Sequence, residues 1–82
     1  MASEASDAKF YLDSYTRGRV QQLDVADYAT LGILLESENI SMNNAYILFK
    51  DKNGNQKEVA ASSAIEDGDT IDIQNKSNKS GN

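Results

Sequence analysis

The stretch from Ile65 to Ile73 limits the possible folds of this chain more than any other stretch. Its Asp67-Gly68-Asp69 core predicts a tight turn, because glycine adopts a positive φ easily and aspartate side chains bond nearby amides. The residues that follow, Thr70 to Ile73, alternate polar and apolar side chains with a period of two. That alternation is typical of a half-buried strand, and such a strand needs a partner from earlier in the chain.

The first candidate partner is a hairpin near the start of the chain. Residues 9–15 alternate, with Phe10 and Leu12 on one face, and residues 20–26 follow a turn at Gly18. Val20 is out of phase with the later apolar residues of its strand, which predicts either a bulge near residues 21–22 or an exposed Val20.

A helix is predicted next, with Asp27 or Thr30 as its N-cap. Four apolar residues recur at helical spacing and share one face: Leu31, Leu34, Leu35 and Ile40. A strand over residues 45–50 follows, then the hairpin signal Asn53-Gly54 and a returning strand over residues 56–60.

The predicted fold class is therefore α+β, a ββαββ mixed sheet with one helix packed across one face. The last strand is expected to lie parallel to the first, with the helix as part of the crossover. We expect residues 1–8 to be a disordered arm, residues 9–74 to be the domain and residues 75–82 to be a disordered polar tail.

Composition excludes several classes of function. The chain has no cysteine and no histidine, so thiolate chemistry and the commonest general base are absent. A formal net charge of −5 argues against a nucleic-acid partner, and no apolar run approaches the length of a membrane span. No serine has an activating partner at a recognisable spacing. We expect a soluble cytoplasmic protein without enzymatic activity or cofactor.

Two motifs carry a resemblance to a known family. Residues 30–40, Thr-Leu-Gly-Ile-Leu-Leu-Glu-Ser-Glu-Asn-Ile, resemble the Thr-Leu-x-x-Leu-Leu helix of the ubiquitin-like β-grasp superfamily. Residues 65–73 resemble its aliphatic, x, Asp-Gly-Asp, x, aliphatic, x, aliphatic ending. The chain is most similar to the sulfur-carrier proteins of the thiamine and molybdopterin pathways, over roughly residues 9–74. The resemblance implies a β-grasp fold.

The chain departs from that family at its end. Sulfur carriers and ubiquitin end in Gly-Gly, whose carboxylate is adenylated, whereas Gly81 is single and is followed by Asn82. The side chains of Asn78 and Lys79, which stand about where the diglycine would fall, would obstruct a narrow adenylating channel. Sulfur carriage or covalent tagging through this terminus is therefore not expected.

The alternation of the strands divides their residues between two faces. The inward set is Phe10, Leu12, Ile47, Phe49, Ile71 and Ile73, and the outward set is Tyr11, Asp13, Tyr46, Leu48, Lys50, Asp72 and Gln74. Ubiquitin-like proteins bind partners through the corresponding outward face. The predicted partner-binding residues are accordingly Tyr11, Tyr46, Leu48, Lys50 and Asp72. The alternative is that two or three exposed apolar residues are normal on any domain.

Two charged groups have simpler interpretations than a site. Glu66, Asp67, Asp69 and Asp72 could bind a divalent cation, but turn chemistry and solubility explain them better, and no metal is expected. Lys50, Lys52 and Lys57 surround the second hairpin and could favour an acidic partner, but the preferred interpretation is that they protect an edge strand from pairing with other chains.

The leading functional hypothesis is a non-catalytic protein-binding module that docks a partner through its exposed sheet face. It would be a monomer or a small subunit of a hetero-complex, as a regulator or as a phage or mobile-element protein. One alternative is a sulfur carrier or ubiquitin-like modifier that acts through its C-terminus. Another is a structural assembly subunit that uses the sheet edges.

Overall fold

The computed structural model describes residues 8–76, so the predicted arm and tail lie outside the described residues except at positions 8, 75 and 76. The strands are β1 (Lys9–Ser14), β2 (Val20–Asp24), β3 (Ala45–Lys50) and β4 (Thr70–Asn75). One helix, α1 (Leu31–Ser37), follows β2. Short 3-10 turns span Val25–Asp27 and Met42–Asn44. Within the described part of the chain, no helix is long and apolar enough to span a membrane.

The four strands form one mixed, open sheet in the order β2-β1-β4-β3. β4 lies parallel to β1, with Leu12 opposite Ile71, and the two outer pairs are antiparallel. The final strand therefore lies beside the first, as predicted from the crossover argument. β4 continues to Asn75 because Ala45, at the start of β3, gives it a partner there.

Both ends of α1 are fixed by local hydrogen bonds, one to a side chain and one between backbone groups. Thr30 is the N-cap, and its hydroxyl accepts from the amide of Ile33 at 3.3 Å. At the other end Asn39 has a φ of 60°, a left-handed conformation that asparagine tolerates better than most residues. The amide of Ile40 then donates to the carbonyl of Leu35 at 2.9 Å, so the chain reverses and Ile40 enters the core.

The core lies between α1 and the inner face of the sheet. Its buried side chains are Phe10, Leu12, Leu31, Leu34, Leu35, Ile40, Ala45, Phe49, Ile65, Ile71 and Ile73, with Ile47 partly buried against them. Every residue predicted to face inward therefore packs in or against this cluster. The opposite face of the sheet is left open to solvent.

The predicted returning strand over residues 56–60 is wrong. Gly54 has a φ of 86° and forms the expected turn, with its amide donating to the carbonyl of Asp51 at 3.0 Å. Only one bridge follows, between Lys50 and Gln56, after which the chain leaves the sheet. The amide of Lys57 still donates to the carbonyl of Phe49 at 2.7 Å, while its side chain bonds the buried Asp69 carboxylate.

A polar network joins the first hairpin to the end of α1. The buried Ser14 hydroxyl lies 2.8 Å from that of Thr16, which donates to the Glu38 carboxylate at 2.8 Å. Arg17 donates to the same carboxylate from Nε at 3.1 Å and from a second guanidinium nitrogen at 2.6 Å. It also donates to the side chain of Gln21. This fork fixes the helix end on the hairpin.

Acid is expected to weaken this connection. The hydrogen bond from Arg17 lowers the pKa of Glu38 below its ordinary value of 4.5. The pair therefore stabilises the fold fully above that value and loses its contribution as the pH falls through the lowered pKa. Glu38→Gln should lower the free energy of unfolding by about 1–2 kcal/mol at neutral pH. The difference from the wild type should shrink in acid, as measured by urea unfolding at several pH values.

Glu36→Gln is the matched control, because Glu36 is exposed on the same helix. A Glu38→Gln effect no larger than that control, or one unchanged down to strongly acidic pH, would contradict the assigned role of the pair.

Candidate functional site

The outer face of the sheet, the side opposite α1, carries two complete rows of side chains. In one row Gln22, Tyr11, Thr70 and Lys50 follow each other across β2, β1, β4 and β3. In the next, Val20, Asp13, Asp72 and Leu48 do the same. Gln74 opposite Tyr46 begins a third row. The strand register thus places neighbouring side chains from all four strands on one surface.

The predicted partner-binding residues lie on this face but do not form one tight cluster. Leu48 is beside Asp72, and Tyr46 is two residues before Leu48 on the same strand. Lys50 ends the row that contains Tyr11, with Thr70 between them. The exposed fraction is 62% for Tyr46, 42% for Tyr11 and 38% for Leu48, whereas Lys50 and Asp72 are half-buried.

Val20 belongs to the same face, although it was absent from the predicted set. It is 58% exposed and pairs with Asp13 in a register that has no bulge. Of the two predicted explanations, a bulge near residues 21–22 or an exposed Val20, the structure shows the exposed Val20. The face on which Val20 lies depends on how β1 pairs with β2. The sequence does not determine that pairing, because it leaves the length of the intervening turn open.

The charges on the face are arranged by strand. Asp13 and Asp72 are register neighbours on the two central strands, and neither forms an ion pair with a described residue. Asp72 accepts a hydrogen bond from the Gln74 amide at 2.8 Å. The basic groups stand toward the margins: Lys50 is on edge strand β3, and the Lys76 amine lies 5.1 Å from the centre of the Tyr46 ring.

A second charged cluster is buried beneath the 66–69 turn. Asp69 is 1% exposed, and its carboxylate accepts from the Lys57 amine at 2.6 Å and from the Glu66 amide at 2.8 Å. Lys57 also donates to the carbonyl of Ala64 at 3.0 Å and lies 4.6 Å from the centre of the Phe49 ring. The amine thereby holds together three segments that are separate in sequence.

The pKa of Lys57 reflects two opposing effects. Burial lowers it, but the hydrogen bonds and negative charges of Asp69 and Glu66 together outweigh burial and raise the pKa above its ordinary value. The amine therefore remains protonated at neutral pH, and the cluster is a structural ion pair. The expectation that Lys57 shields an edge strand is corrected, because its amine faces this carboxylate.

Turn chemistry accounts for Asp67 and Asp51, two further acidic residues of these loops. Asp67 accepts from the amide of Lys9 at 2.9 Å, and Asp51 accepts from the amides of Asn53 and Asn55 at 2.9 and 3.0 Å. Among residues 8–76, no group of three or more acidic side chains is placed to hold a metal ion.

A shallow groove beside α1 is the other apolar surface. Ile33, which is exposed, lines it together with Ile40, Met42 and Ala61. Thr30 and Glu36 also line the groove; the Thr30 hydroxyl is occupied as the N-cap, and Glu36 is exposed.

Comparison of the chain with protein-family models, curated proteins and solved structures finds no match. The geometry of the two surfaces and of the buried cluster is therefore the basis for assigning a function.

Proposed function

We propose that this chain is a ubiquitin-like β-grasp domain without catalytic activity that docks a protein partner through the outer face of its sheet. The mixed sheet, the parallel β1–β4 pair and the single helix on one face support the fold assignment. They are compatible with a sulfur-carrier-like relative, as the helix and Asp-Gly-Asp motifs suggest.

The observation that carries the proposal is the apolar content of the open face. Four large apolar side chains (Tyr11, Val20, Tyr46 and Leu48), each more than a third exposed, come from three of the four strands. Aromatic side chains with a polar and charged surround are typical of protein interfaces. The register supplies that surround through Asp13, Asp72 and Lys50.

Removing two of these apolar side chains should abolish partner capture without unfolding the domain. Tyr46→Ala with Leu48→Ser empties the β3 side of the face, and serine avoids placing a third carboxylate beside Asp72. Exposed positions contribute little to the core, so thermal unfolding should change only slightly. The measurement is affinity capture from a native lysate with quantitative mass spectrometry.

The matched control is Ile33→Ser, which removes an exposed apolar side chain of α1, on the side of the sheet opposite the outer face. A partner retained by the wild type and the control but lost by the face variant supports the proposal. Partners captured equally by all three proteins contradict it. An adenylating enzyme recovered equally by all three would instead favour the carrier alternative.

A further inference from the structure

Two carboxylates lie side by side at the centre of the outer face. Apolar or oppositely charged side chains at these two positions would stabilise the sheet more. Asp13 and Asp72 are direct register partners on the adjacent parallel strands β1 and β4. Both side chains are half-buried, and like charges on neighbouring strands are unfavourable. No described cation offsets the pair.

None of the described basic residues forms an ion pair with Asp13 or Asp72. Lys50 lies one row away on β3, beside Thr70. Lys76 lies over the Tyr46 ring, and Lys9 is ion-paired with Asp24 at the far end of β1. The free face is therefore negative at its centre and apolar on both sides, with Leu48 next to Asp72 and Val20 next to Asp13.

The whole chain has charge of the same sign as this centre. Its formal net charge of −5 produces a field that attracts a basic partner and slows the approach of an acidic one. Local and overall charge thus favour the same kind of ligand, and the exposed apolar side chains provide the area that a purely electrostatic contact would lack.

We propose that the partner docked on the outer face is a protein segment that inserts an arginine or lysine between Asp13 and Asp72 and packs apolar residues on Leu48 and Val20. This inference rests on the proposed docking function and specifies its partner chemistry. Arginine fits best, because its planar guanidinium can donate to two carboxylates at once. The inserted cation gives charge partners to two carboxylates that form no ion pair with a described residue.

The test uses random linear peptides displayed on phage, selected against the full chain, with the affinities of selected peptides measured by fluorescence anisotropy. Selected sequences are expected to contain a basic residue flanked by apolar residues. Their binding should weaken about tenfold or more when Asp13→Asn and Asp72→Asn are combined, and it should weaken as salt is raised. Asp27→Asn with Glu58→Gln is the control, because it changes the net charge equally at exposed positions away from the face.

The outcomes separate this inference from the docking function. Peptides that bind without a basic residue, or that bind the aspartate variant as tightly as the wild type, overturn the inference. If those peptides still lose binding to the Tyr46→Ala, Leu48→Ser variant, the docking function stands. Peptides unaffected by both variants overturn both, and a selection that yields no binder overturns the inference.

Discussion

Replacing Lys57 with methionine is expected to lower the free energy of unfolding by about 3 kcal/mol, because it leaves the buried Asp69 carboxylate without its charge partner. Methionine keeps the length and apolar stem of lysine, so the loss reports the amine. The amine also bonds the carbonyl of Ala64 and faces the Phe49 ring, and both contacts disappear with it. Urea unfolding at neutral pH measures the effect.

Lys52→Met is the matched control, since Lys52 is exposed on the neighbouring turn. The pH dependence gives a second check on the pair. Because the pKa of Lys57 is raised in the folded protein, its contribution is complete below the ordinary lysine pKa and is lost as the pH rises through the raised value. Equal stabilities for Lys57→Met and Lys52→Met would refute the assigned role of the buried pair.

Gly68→Ala is expected to destabilise the domain by about 2–3 kcal/mol, for two independent reasons. Gly68 has a φ of +86°, where an L side chain is strained. In addition, a Cβ atom at this position would lie 2.6 Å from the Cβ of Lys52, so one of the two loops must move. The amide of Gly68 donates to the carbonyl of Lys9 at 2.7 Å, and any movement disturbs the start of β1.

The variant Gly54→Ala separates the effect of backbone strain from that of the steric clash. Gly54 has the same φ of +86°, but nothing lies within 4 Å of the point where a Cβ atom would stand. It should therefore cost only the backbone strain, about 1–2 kcal/mol. If thermal and urea unfolding show the same loss for both variants, the contact between the two loops has no energetic role.

Local periodicity was sufficient to predict α1 and the inward side chains. Leu31, Leu34 and Leu35 repeat at helical spacing, and the strand residues that face the core alternate cleanly. Phe10 and Ile71 could be placed on the same face, because each lies in a segment whose own pattern defines its phase.

The features that sequence reasoning missed depend on contacts between distant residues. From the sequence, Asp69 is predicted to be an exposed turn residue, because carboxylates are rarely fully buried. Its burial is explained by the ion pair with Lys57, which is 12 positions away. Arg17 is likewise predicted from the sequence only as part of a turn. In the structure it pairs with Glu38, which is 21 positions away. No periodic pattern encodes such pairs, so the sequence could not predict them.

The outer face was predicted only in part for a related reason. Tyr46, Leu48 and Asp72 follow directly from alternation within β3 and β4. The adjacency of Asp13 and Asp72 requires the register of two parallel strands that are far apart in sequence. That register turns a set of outward residues into a surface with an acidic centre.

The docking claim is tested most directly by hydroxyl-radical footprinting of the domain alone and in complex with a captured partner. Tyr11, Tyr46 and Leu48 should be protected from oxidation in the complex, whereas Ile33, which is exposed on α1, should be oxidised at an unchanged rate. Protection of Ile33 with no change at Tyr46 and Leu48 would place the partner on another surface and contradict the proposed function.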